Sequence, residues 1–254
     1  MSDSTDGSRI ILVTGAGRGI GAATAGLAAA RGYHVAVNYR ADRASAERLV
    51  AGIRDLGGTA IAVAADVANE DDVARLFTIV DRELGTLTAL VNNAGMLAPQ
   101  MRVESMDAAR ISRVLATNVT GTLLCAREAI RRMSTARGGR GGAIVNVSSM
   151  AARLGGPGEY VDYAASKGAV EALTIGLARE VAQEGIRVNA VRPGVVYTDI
   201  HASGGEPGRV DRVKAFVPMR RGGQPEEVAR AILWLLSDEA SYSTGTFVDV
   251  SGGR

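Results

Sequence analysis

A tyrosine and a lysine four positions apart are the residues of this sequence best suited to acid–base chemistry. Tyr163 and Lys167 lie near the start of a stretch, 160–184, that is predicted to be a helix, so their side chains share one face. A tyrosine has an ordinary pKa of about 10 and exchanges protons poorly at neutral pH. An ammonium beside it favours the phenolate and lowers this pKa, so we expect Tyr163 to act as an acid and a base.

The scarcity of lysine supports a special role for this pair. Only Lys167 and Lys214 are lysines among the 29 basic side chains, and the rest are arginines. An ammonium is a compact point charge that a larger, planar guanidinium does not replace cleanly. Tyr160 has Ala164 four residues beyond it and so lacks an ammonium neighbour. We expect Tyr160 to pack in the interior or to line a substrate pocket.

Hydroxyl and amide side chains could complete this site. Ser148 and Ser149 follow a predicted strand, 143–147, where a hydroxyl could donate to a substrate carbonyl oxygen and stabilise the charge that develops there. The residues alone leave open which serine does so, or whether both merely form a turn. Asn118, in a predicted helix over 107–136, could hold a water that links Lys167 to solvent, or it could simply pack.

A glycine cluster follows the first predicted strand, 9–13, and precedes a predicted helix over 20–31. Phosphates need inward-pointing backbone N–H groups, no Cβ in the way and the positive end of a helix dipole. The spacing is GxxxGxG and differs from the commoner GxGxxG, but its place after the first strand favours a dinucleotide site over a tight turn. The residues assigned to this loop are Gly15, Arg18, Gly19, Ile20 and Gly21.

Two arginines suggest which dinucleotide is bound. The second predicted strand, 35–39, is followed by Arg40 and carries no acid at its end, where an acid would take a ribose 2′-hydroxyl. Arg18 lies in the glycine loop, and two guanidinium groups at one end of the cofactor would bind a 2′-phosphate well. We therefore expect NADP(H) to be favoured over NAD(H). The alternative is that Arg40 is simply solvated.

Further cofactor contacts are expected at the ends of the third and fourth predicted strands, 61–65 and 88–91. Open α/β sheets bind ligands at the carboxyl ends of their strands. Asp66 could accept a hydrogen bond from an adenine amino group, and Lys167 could donate to the nicotinamide ribose. The residues assigned here are Asp66, Val67, Asn93, Ala94 and Gly95.

Alternating strand-like and helix-like stretches predict an α/β fold. Further strands are expected at 186–191 and 246–250, and a further helix begins at Pro225. Repeated β-α-β units give parallel strands with helices on both faces of an open sheet. We expect a flexible N-terminus at 1–8 and one domain over 9–254. The long segment 195–223 is expected to be a substrate loop, the alternative being a disordered insertion.

Composition excludes several other classes of protein. A net charge of +2 without a basic run interleaved with aromatics argues against a nucleic-acid partner. The polar start lacks the apolar core of a signal peptide, and no apolar stretch is long enough to span a bilayer, so we expect a cytoplasmic protein without a membrane partner. Cys125 is the only cysteine, and His34 and His201 are the only histidines, so we expect no metal site.

The sequence resembles the short-chain dehydrogenase/reductase family over essentially the whole chain. The resemblance is carried by four motifs in this order: TGxxxGxG at 14–21, NNAG at 92–95, a strand-end serine and YxxxK at 163–167. The resemblance implies a single Rossmann-like, doubly wound parallel sheet of about seven strands, usually in a homotetramer. It implies hydride transfer between a nicotinamide and a small carbonyl or alcohol substrate. The implied catalytic residues are Asn118, Ser149, Tyr163 and Lys167.

The same resemblance assigns further roles. Asn93 would stabilise the central strand near the cofactor, Pro193 and Gly194 would contact the nicotinamide side, and Tyr39 stands where NAD-preferring members carry an acid. The 149–254 half resembles bacterial glucose 1-dehydrogenase-like and 3-oxoacyl-carrier-protein reductase-like members. Ser149 departs from the usual pattern because it lies one residue farther from the tyrosine. An epimerase or dehydratase, or a protein that only senses NADP(H), is the alternative reading.

Overall fold

A computed structural model describes residues 9–254, so the expected flexible N-terminus at 1–8 lies outside the described residues. Seven strands form one sheet in which every neighbouring pair is parallel, in the order β3-β2-β1-β4-β5-β6-β7. This arrangement is the predicted doubly wound sheet. The strands are β1 (Arg9–Val13), β2 (Tyr33–Tyr39), β3 (Ala60–Ala64), β4 (Ala89–Asn92), β5 (Gly142–Val147), β6 (Ile186–Pro193) and β7 (Phe247–Val250).

Helices connect the strands and cover both faces of the sheet. Apart from short 3₁₀ turns and one π turn, they are α1 (Gly19–Ala30), α2 (Arg43–Asp55), α3 (Glu70–Glu83), α4 (Ala108–Leu115), α5 (Gly121–Met133), α6 (Ala151–Leu154), α7 (Val161–Glu180), α8 (Ile200–Ser203), α9 (Arg209–Val213) and α10 (Pro225–Leu236). None of the helices described is long and apolar enough to cross a membrane.

Alternate strand residues belong to two separate cores, because successive side chains of a strand point to opposite faces. Ile11 and Val13 of β1 pack in one core with side chains of α1, α2 and α10. Ile10 and Leu12 pack in the other with side chains of α3, α5 and α7. Both faces are therefore buried, which is why the strands read as continuous apolar runs in the sequence. This burial fixes the sheet and the edge at which its strands end.

The predicted helix over 107–136 is observed at 108–133, but it contains a feature that periodicity did not predict. Residues 116–120, between α4 and α5, form a π turn, and Asn118 lies within it, fully buried. One-turn π segments inside α-helices are frequent at functional sites. The wider turn brings the Asn118 side chain out of helical register and toward the ends of the strands.

The segment 195–223 is ordered into α8, α9 and a 3₁₀ turn at 214–216. Val195, Val210 and Val213 form a small apolar cluster of their own, and Val196 makes a parallel bridge with Gly223. The segment was expected to be a loop, and the structure has two short helices within it. The segment passes over the carboxyl ends of the strands, so it covers the region in which the predicted site residues lie.

Candidate active site

One cleft of about 790 Å³ runs along the carboxyl ends of the strands. Gly21 and Asn118 are the predicted site residues that lie behind its wall. The remaining predicted residues line it: Gly15, Arg18, Gly19, Ile20, Arg40, Asp66, Val67, Asn93, Ala94, Gly95, Ser149, Tyr163, Lys167, Pro193 and Gly194. The structure therefore brings residues from the start, middle and end of the chain into one continuous space.

The glycine loop at the start of α1 requires glycine at three positions, for reasons of backbone conformation or of space. Gly15 and Gly19 have φ of 60° and 55°, in the left-handed region that side chains with a Cβ rarely adopt. A Cβ at Gly21 would lie 2.5 Å from the Asn93 Nδ2 atom and 2.7 Å from the Gly15 carbonyl oxygen. The loop can therefore press its backbone against β4 and leave its amide groups facing the cleft.

Two asparagines hold this loop in place. Asn93 donates through Nδ2 to the carbonyl oxygens of Thr14 and Gly15, at 2.9 and 3.0 Å. Asn38, buried at the end of β2, accepts from the Gly15 amide at 3.1 Å and donates to the Ala65 carbonyl at 3.1 Å. Asn93 was expected to stabilise this region, whereas Asn38 was missed. Its signal in the sequence is a lone amide inside an otherwise apolar strand.

The residues at this end of the cleft fit a dinucleotide. Within the described chain, no side chain caps the first turn of α1, while Asp42 and Asn69 accept hydrogen bonds from the first turns of α2 and α3. Uncapped amides at a helix N-terminus attract anions, because they carry unsatisfied donors and the positive end of the helix dipole. Together with the glycine cradle, this helix end suits a pyrophosphate.

Arg18 and Arg40 both lie exposed beside the glycine loop. The Arg40 Nη1 atom is 4.0 Å from Asp66 Oδ2, so the arginine stands near the carboxylate expected to meet adenine. Asp42, which the sequence did not single out, also lines this end of the cleft. Its pKa is lowered chiefly by hydrogen bonds from Ser45, with smaller contributions from Arg18 and a neighbouring arginine.

Tyr163 and Lys167 project from α7 into the same cleft. Lys167 is buried, and its Nζ donates to the Val147 carbonyl at 2.7 Å and lies 5.6 Å from the centre of the Tyr163 ring. Burial disfavours the ammonium and lowers the pKa of Lys167 to about 8. The pair therefore shares one helix face, as its spacing predicted.

The pKa of Tyr163 is shifted in the direction opposite to the one expected from the sequence. Burial raises the pKa of Tyr163 to about 12, while a hydrogen bond with Ser149 acts in the opposite direction. We expected the ammonium of Lys167 to lower this pKa. Lys167 contributes no such lowering in the structure, and desolvation of the phenolate is the largest influence on the Tyr163 pKa. In the protein alone, the phenol is therefore held in its protonated form.

The two candidate serines have different surroundings. Ser148 and Ser149 both border the cleft, but Ser148 is buried and its hydroxyl donates to Glu171 Oε1 at 3.0 Å. Ser149 lines the cleft, and its Oγ accepts from the Ala151 amide at 3.1 Å. The Ser149 hydroxyl is therefore the one without a carboxylate partner, and its role toward a substrate stays a prediction.

The Asn118 amide is occupied by protein groups. Its Oδ1 accepts from the Met96 amide at 2.8 Å, and its Nδ2 donates to the Met96 carbonyl at 3.1 Å and to Ser166 Oγ at 2.9 Å. A Cβ on Gly95 would lie 3.5 Å from Lys167 Nζ and 3.6 Å from Asn118 Oδ1. Asn118 thus ties the 95–96 loop to α7 beside the lysine. Its role in holding a water stays a prediction.

A buried ion pair that the sequence did not reveal supports the start of α7. Arg110 of α4 donates through Nε to Asp162 Oδ2 at 2.8 Å, and the side chains are only 6% and 3% exposed. Asp162 Oδ1 also accepts from the Tyr163 amide at 2.9 Å. A pair of this kind is costly to break because the remaining charge is left buried. It fixes the helical turn that carries the tyrosine.

Neither the cysteine nor a cluster of metal-binding side chains adds to the candidate site within the described residues. Cys125 is buried in the core under α5, and burial raises the pKa of its thiol to about 12, so it behaves as an apolar core residue. Among residues 9–254, no group of three or more His, Cys, Asp or Glu side chains is arranged to hold a metal ion.

Comparison with known proteins agrees with this geometry. Residues 15–254 match the family model described as enoyl-(acyl carrier protein) reductase. The chain is 61% identical over 245 residues to "Uncharacterized oxidoreductase YgfF" of Escherichia coli K12, covering 96% of this chain and 99% of that protein.

Two further relatives carry more specific names. The chain is 40% identical to a 3-oxoacyl-[acyl-carrier-protein] reductase of Synechocystis, with 97% of this chain and 96% of that protein covered. It is 37% identical to glucose 1-dehydrogenase 2 of Bacillus subtilis, with 95% and 93% covered. The chain therefore belongs to the short-chain dehydrogenase/reductase family of nicotinamide-dependent oxidoreductases.

Proposed function

We propose that this protein is an NADP(H)-dependent oxidoreductase that interconverts a carbonyl group and an alcohol on a small molecule. One observation carries the proposal: Ser149, Tyr163 and Lys167 line the same cleft as the glycine loop. The substrate would be a ketone, an aldehyde, a 3-oxoacyl compound or a sugar. This range is supported by relatives named for 3-oxoacyl reduction and for glucose oxidation.

The proposed mechanism assigns each polar group a task at the substrate oxygen. The Ser149 hydroxyl and the Tyr163 phenol donate hydrogen bonds to the carbonyl oxygen and stabilise the negative charge that grows there. The dinucleotide, when bound, supplies the hydride that adds to the carbonyl carbon. Tyr163 then transfers its proton to the oxygen, which completes the alcohol. In the oxidation direction the same groups act in reverse.

Lys167 and the residues behind it would orient the acid and the cofactor. The ammonium is anchored by the Val147 carbonyl and would donate its remaining hydrogens to the nicotinamide ribose. Pro193 and Gly194 would face the nicotinamide, the amides of Gly19 and Ile20 the pyrophosphate, and Asp66 and Val67 the adenine. Asn93, Ala94 and Gly95 would form the floor below the cofactor.

A panel of small ketones, aldehydes and sugars tests the proposed function. Purified protein is mixed with NADPH and each compound, and the loss of NADPH absorbance is followed with time. We expect turnover of at least one carbonyl class, with the alcohol as product by chromatography. Absence of NADPH oxidation, and of NADP⁺ reduction by the corresponding alcohols, across the whole panel would overturn the proposal.

Cofactor preference gives a second expected result. Replacing both Arg18 and Arg40 with alanine removes two charged donors to a 2′-phosphate, which together contribute roughly 1.5–3 kcal/mol because both side chains are exposed and screened by water. We expect kcat/KM for NADPH to fall by roughly 10- to 100-fold, with a much smaller change for NADH. Arg43→Ala is the matched control, because Arg43 pairs with Glu47 on α2 outside the cleft. A clear preference of the unmodified protein for NADH would contradict the assignment.

The rate of carbonyl reduction should depend on pH through the protonation of Lys167. Reduction needs both the protonated phenol of Tyr163, whose pKa is about 12, and the charged form of Lys167, whose pKa is about 8. The ammonium is present below that pKa and is lost as pH rises through it. We expect kcat/KM for NADPH, which reports the free enzyme, to fall above pH 8 by roughly tenfold per unit. A profile that stays flat or rises to pH 10 would contradict the role of Lys167.

Assembly and location complete the proposal. The family resemblance suggests a homotetramer, and exposed apolar side chains on α4 and α5 support burial of that surface: Ile111, Leu115 and Leu123. We also propose a cytoplasmic location, and the cleft is suited to a small-molecule partner.

A further inference from the structure

The phenol of Tyr160 is a second donor inside the cleft, separate from the catalytic phenol. Tyr160 lies directly before α7, three residues from Tyr163, and lines the same cleft. The residue is only 4% exposed. A tyrosine this buried normally has a partner for its hydroxyl hydrogen, because an unmet buried donor is costly.

The hydrogen bonds around this phenol leave its hydrogen without an acceptor. The Tyr160 oxygen accepts from Gln100 Nε2 at 3.0 Å and from Arg209 Nη1 at 3.3 Å. An amide NH₂ group and a guanidinium can donate but not accept, so neither takes the phenol hydrogen. Among residues 9–254, no group accepts a hydrogen bond from this hydroxyl. The O–H group of Tyr160 is therefore free to donate a hydrogen bond.

Neighbouring charges fix the orientation of these partners. Gln100 Nε2 also donates to Glu206, which keeps the amide nitrogen rather than its oxygen toward Tyr160. The Arg209 guanidinium carbon lies 4.8 Å from the centre of the Tyr160 ring, and its nitrogens pair with Glu159 and Glu206. The ring and its oxygen are thus held from two sides, while the hydroxyl hydrogen stays unpaired.

The charged groups around Tyr160 indicate which kind of substrate atom could accept its hydrogen bond. Arg209 is already neutralised by two carboxylates, so it is a poor receptor for a substrate carboxylate. Those carboxylates would also repel an anionic group placed beside them. A neutral oxygen with a free lone pair, as in a hydroxyl, ether, ketone or ester, matches an uncharged phenol donor.

We propose that Tyr160 determines substrate specificity by donating a hydrogen bond to a second, uncharged oxygen of the substrate, away from the carbonyl that reacts at Tyr163. The inference rests on the proposed carbonyl chemistry and narrows its substrate class to oxygenated carbonyl compounds. Purely aliphatic ketones and aldehydes of the same size leave this donor without an acceptor in the cleft, and they are therefore bound less well.

Matched ketones test the inference. Methoxyacetone and pentan-2-one differ by one oxygen in place of one methylene, as do 4-methoxybutan-2-one and hexan-2-one. We expect Tyr160→Phe to lower the ratio of kcat/KM between ether and alkyl ketone by roughly three- to tenfold in at least one pair, the loss of one hydrogen bond. Tyr242→Phe, at a fully exposed tyrosine, should leave both ratios unchanged. Unchanged ratios in Tyr160→Phe would overturn the inference.

A second variant keeps the test decisive if Tyr160→Phe does not fold. The paired substitutions Gln100→Glu and Glu206→Gln place a carboxylate oxygen where the Gln100 amide nitrogen stands and keep a donor opposite it, so the phenol hydrogen gains an acceptor within the protein. The preference for the ether ketones should fall here too, although the phenol remains. A preference equal to that of the unmodified protein would contradict the proposed donor.

Binding measurements separate this inference from the proposed function. In the Tyr163→Phe background with NADPH, calorimetry gives the Kd of each ketone without turnover. Adding Tyr160→Phe should reduce the preference for the ether by a similar factor. Absence of turnover by the unmodified protein would refute the proposed chemistry, whereas equal Kd ratios with and without Tyr160→Phe would refute the specificity role alone.

Discussion

Replacing Tyr163 with phenylalanine is expected to lower kcat for carbonyl reduction by roughly 10²- to 10⁴-fold, the usual contribution of a general acid. The ring and its packing against α7 remain, but the proton delivered to the substrate oxygen is lost. Because burial keeps this phenol protonated, its pKa being about 12, the side chain is prepared as an acid in the protein itself. NADPH absorbance measured against time with a substrate found in the carbonyl panel gives the rate.

The binding of NADPH separates a chemical effect from a structural one. Tyr163→Phe should change the Kd of NADPH, measured by fluorescence titration, by no more than about threefold, since at most one neutral hydrogen bond is lost. The circular dichroism spectrum should match that of the unmodified protein. A variant that retains more than about a tenth of the original kcat would rule out Tyr163 as the proton donor.

Gly21→Ala is expected to remove most of the NADPH affinity. The added methyl group would lie 2.5 Å from Asn93 Nδ2 and 2.7 Å from the Gly15 carbonyl oxygen, so the side chain and the loop must move apart. That movement breaks the hydrogen bonds from Asn93 to Thr14 and Gly15 and widens the phosphate-binding turn. We expect the Kd of NADPH to rise by roughly 100-fold, the equivalent of about 2.7 kcal/mol.

Gly26→Ala is the matched control on the same helix. A Cβ at Gly26 meets no atom within 4 Å, and the residue lies inside α1. Alanine favours a helix over glycine by roughly 0.8–1 kcal/mol, so this variant should bind NADPH normally and melt at the same or a higher temperature. If Gly21→Ala bound NADPH as tightly as Gly26→Ala, the proposed phosphate-binding role of the loop would be wrong.

The order of helices and strands could be predicted from the sequence because each element has its own local pattern of apolar residues. β1 was predicted at 9–13 and is observed there, and the strands near 61–65 and 143–147 agree to within one residue at each end. Their residues are apolar on both faces because helices cover both sides of the sheet. Helix boundaries were less accurate: the helix predicted to end at 136 ends at Met133.

Tyr163 and Lys167 could be identified as a pair because helical periodicity alone puts them on one face. The glycine loop was also visible, since its glycines follow directly on a strand and precede a helix. The contacts of Asn38, Arg110 and Tyr160 were not visible. Their partners lie 20 or more positions away along the chain and come near only when the sheet forms.

The sequence by itself determined the element order, the loop that suits phosphate and the spacing of the acid and the ammonium, because these properties depend on neighbours in the chain. The tertiary structure alone decided which serine hydroxyl is held by a carboxylate, the direction in which burial moves the Tyr163 pKa and the free donor of Tyr160. Burial, desolvation and hydrogen-bond partnership depend on segments that are distant in sequence, so no local pattern encodes them.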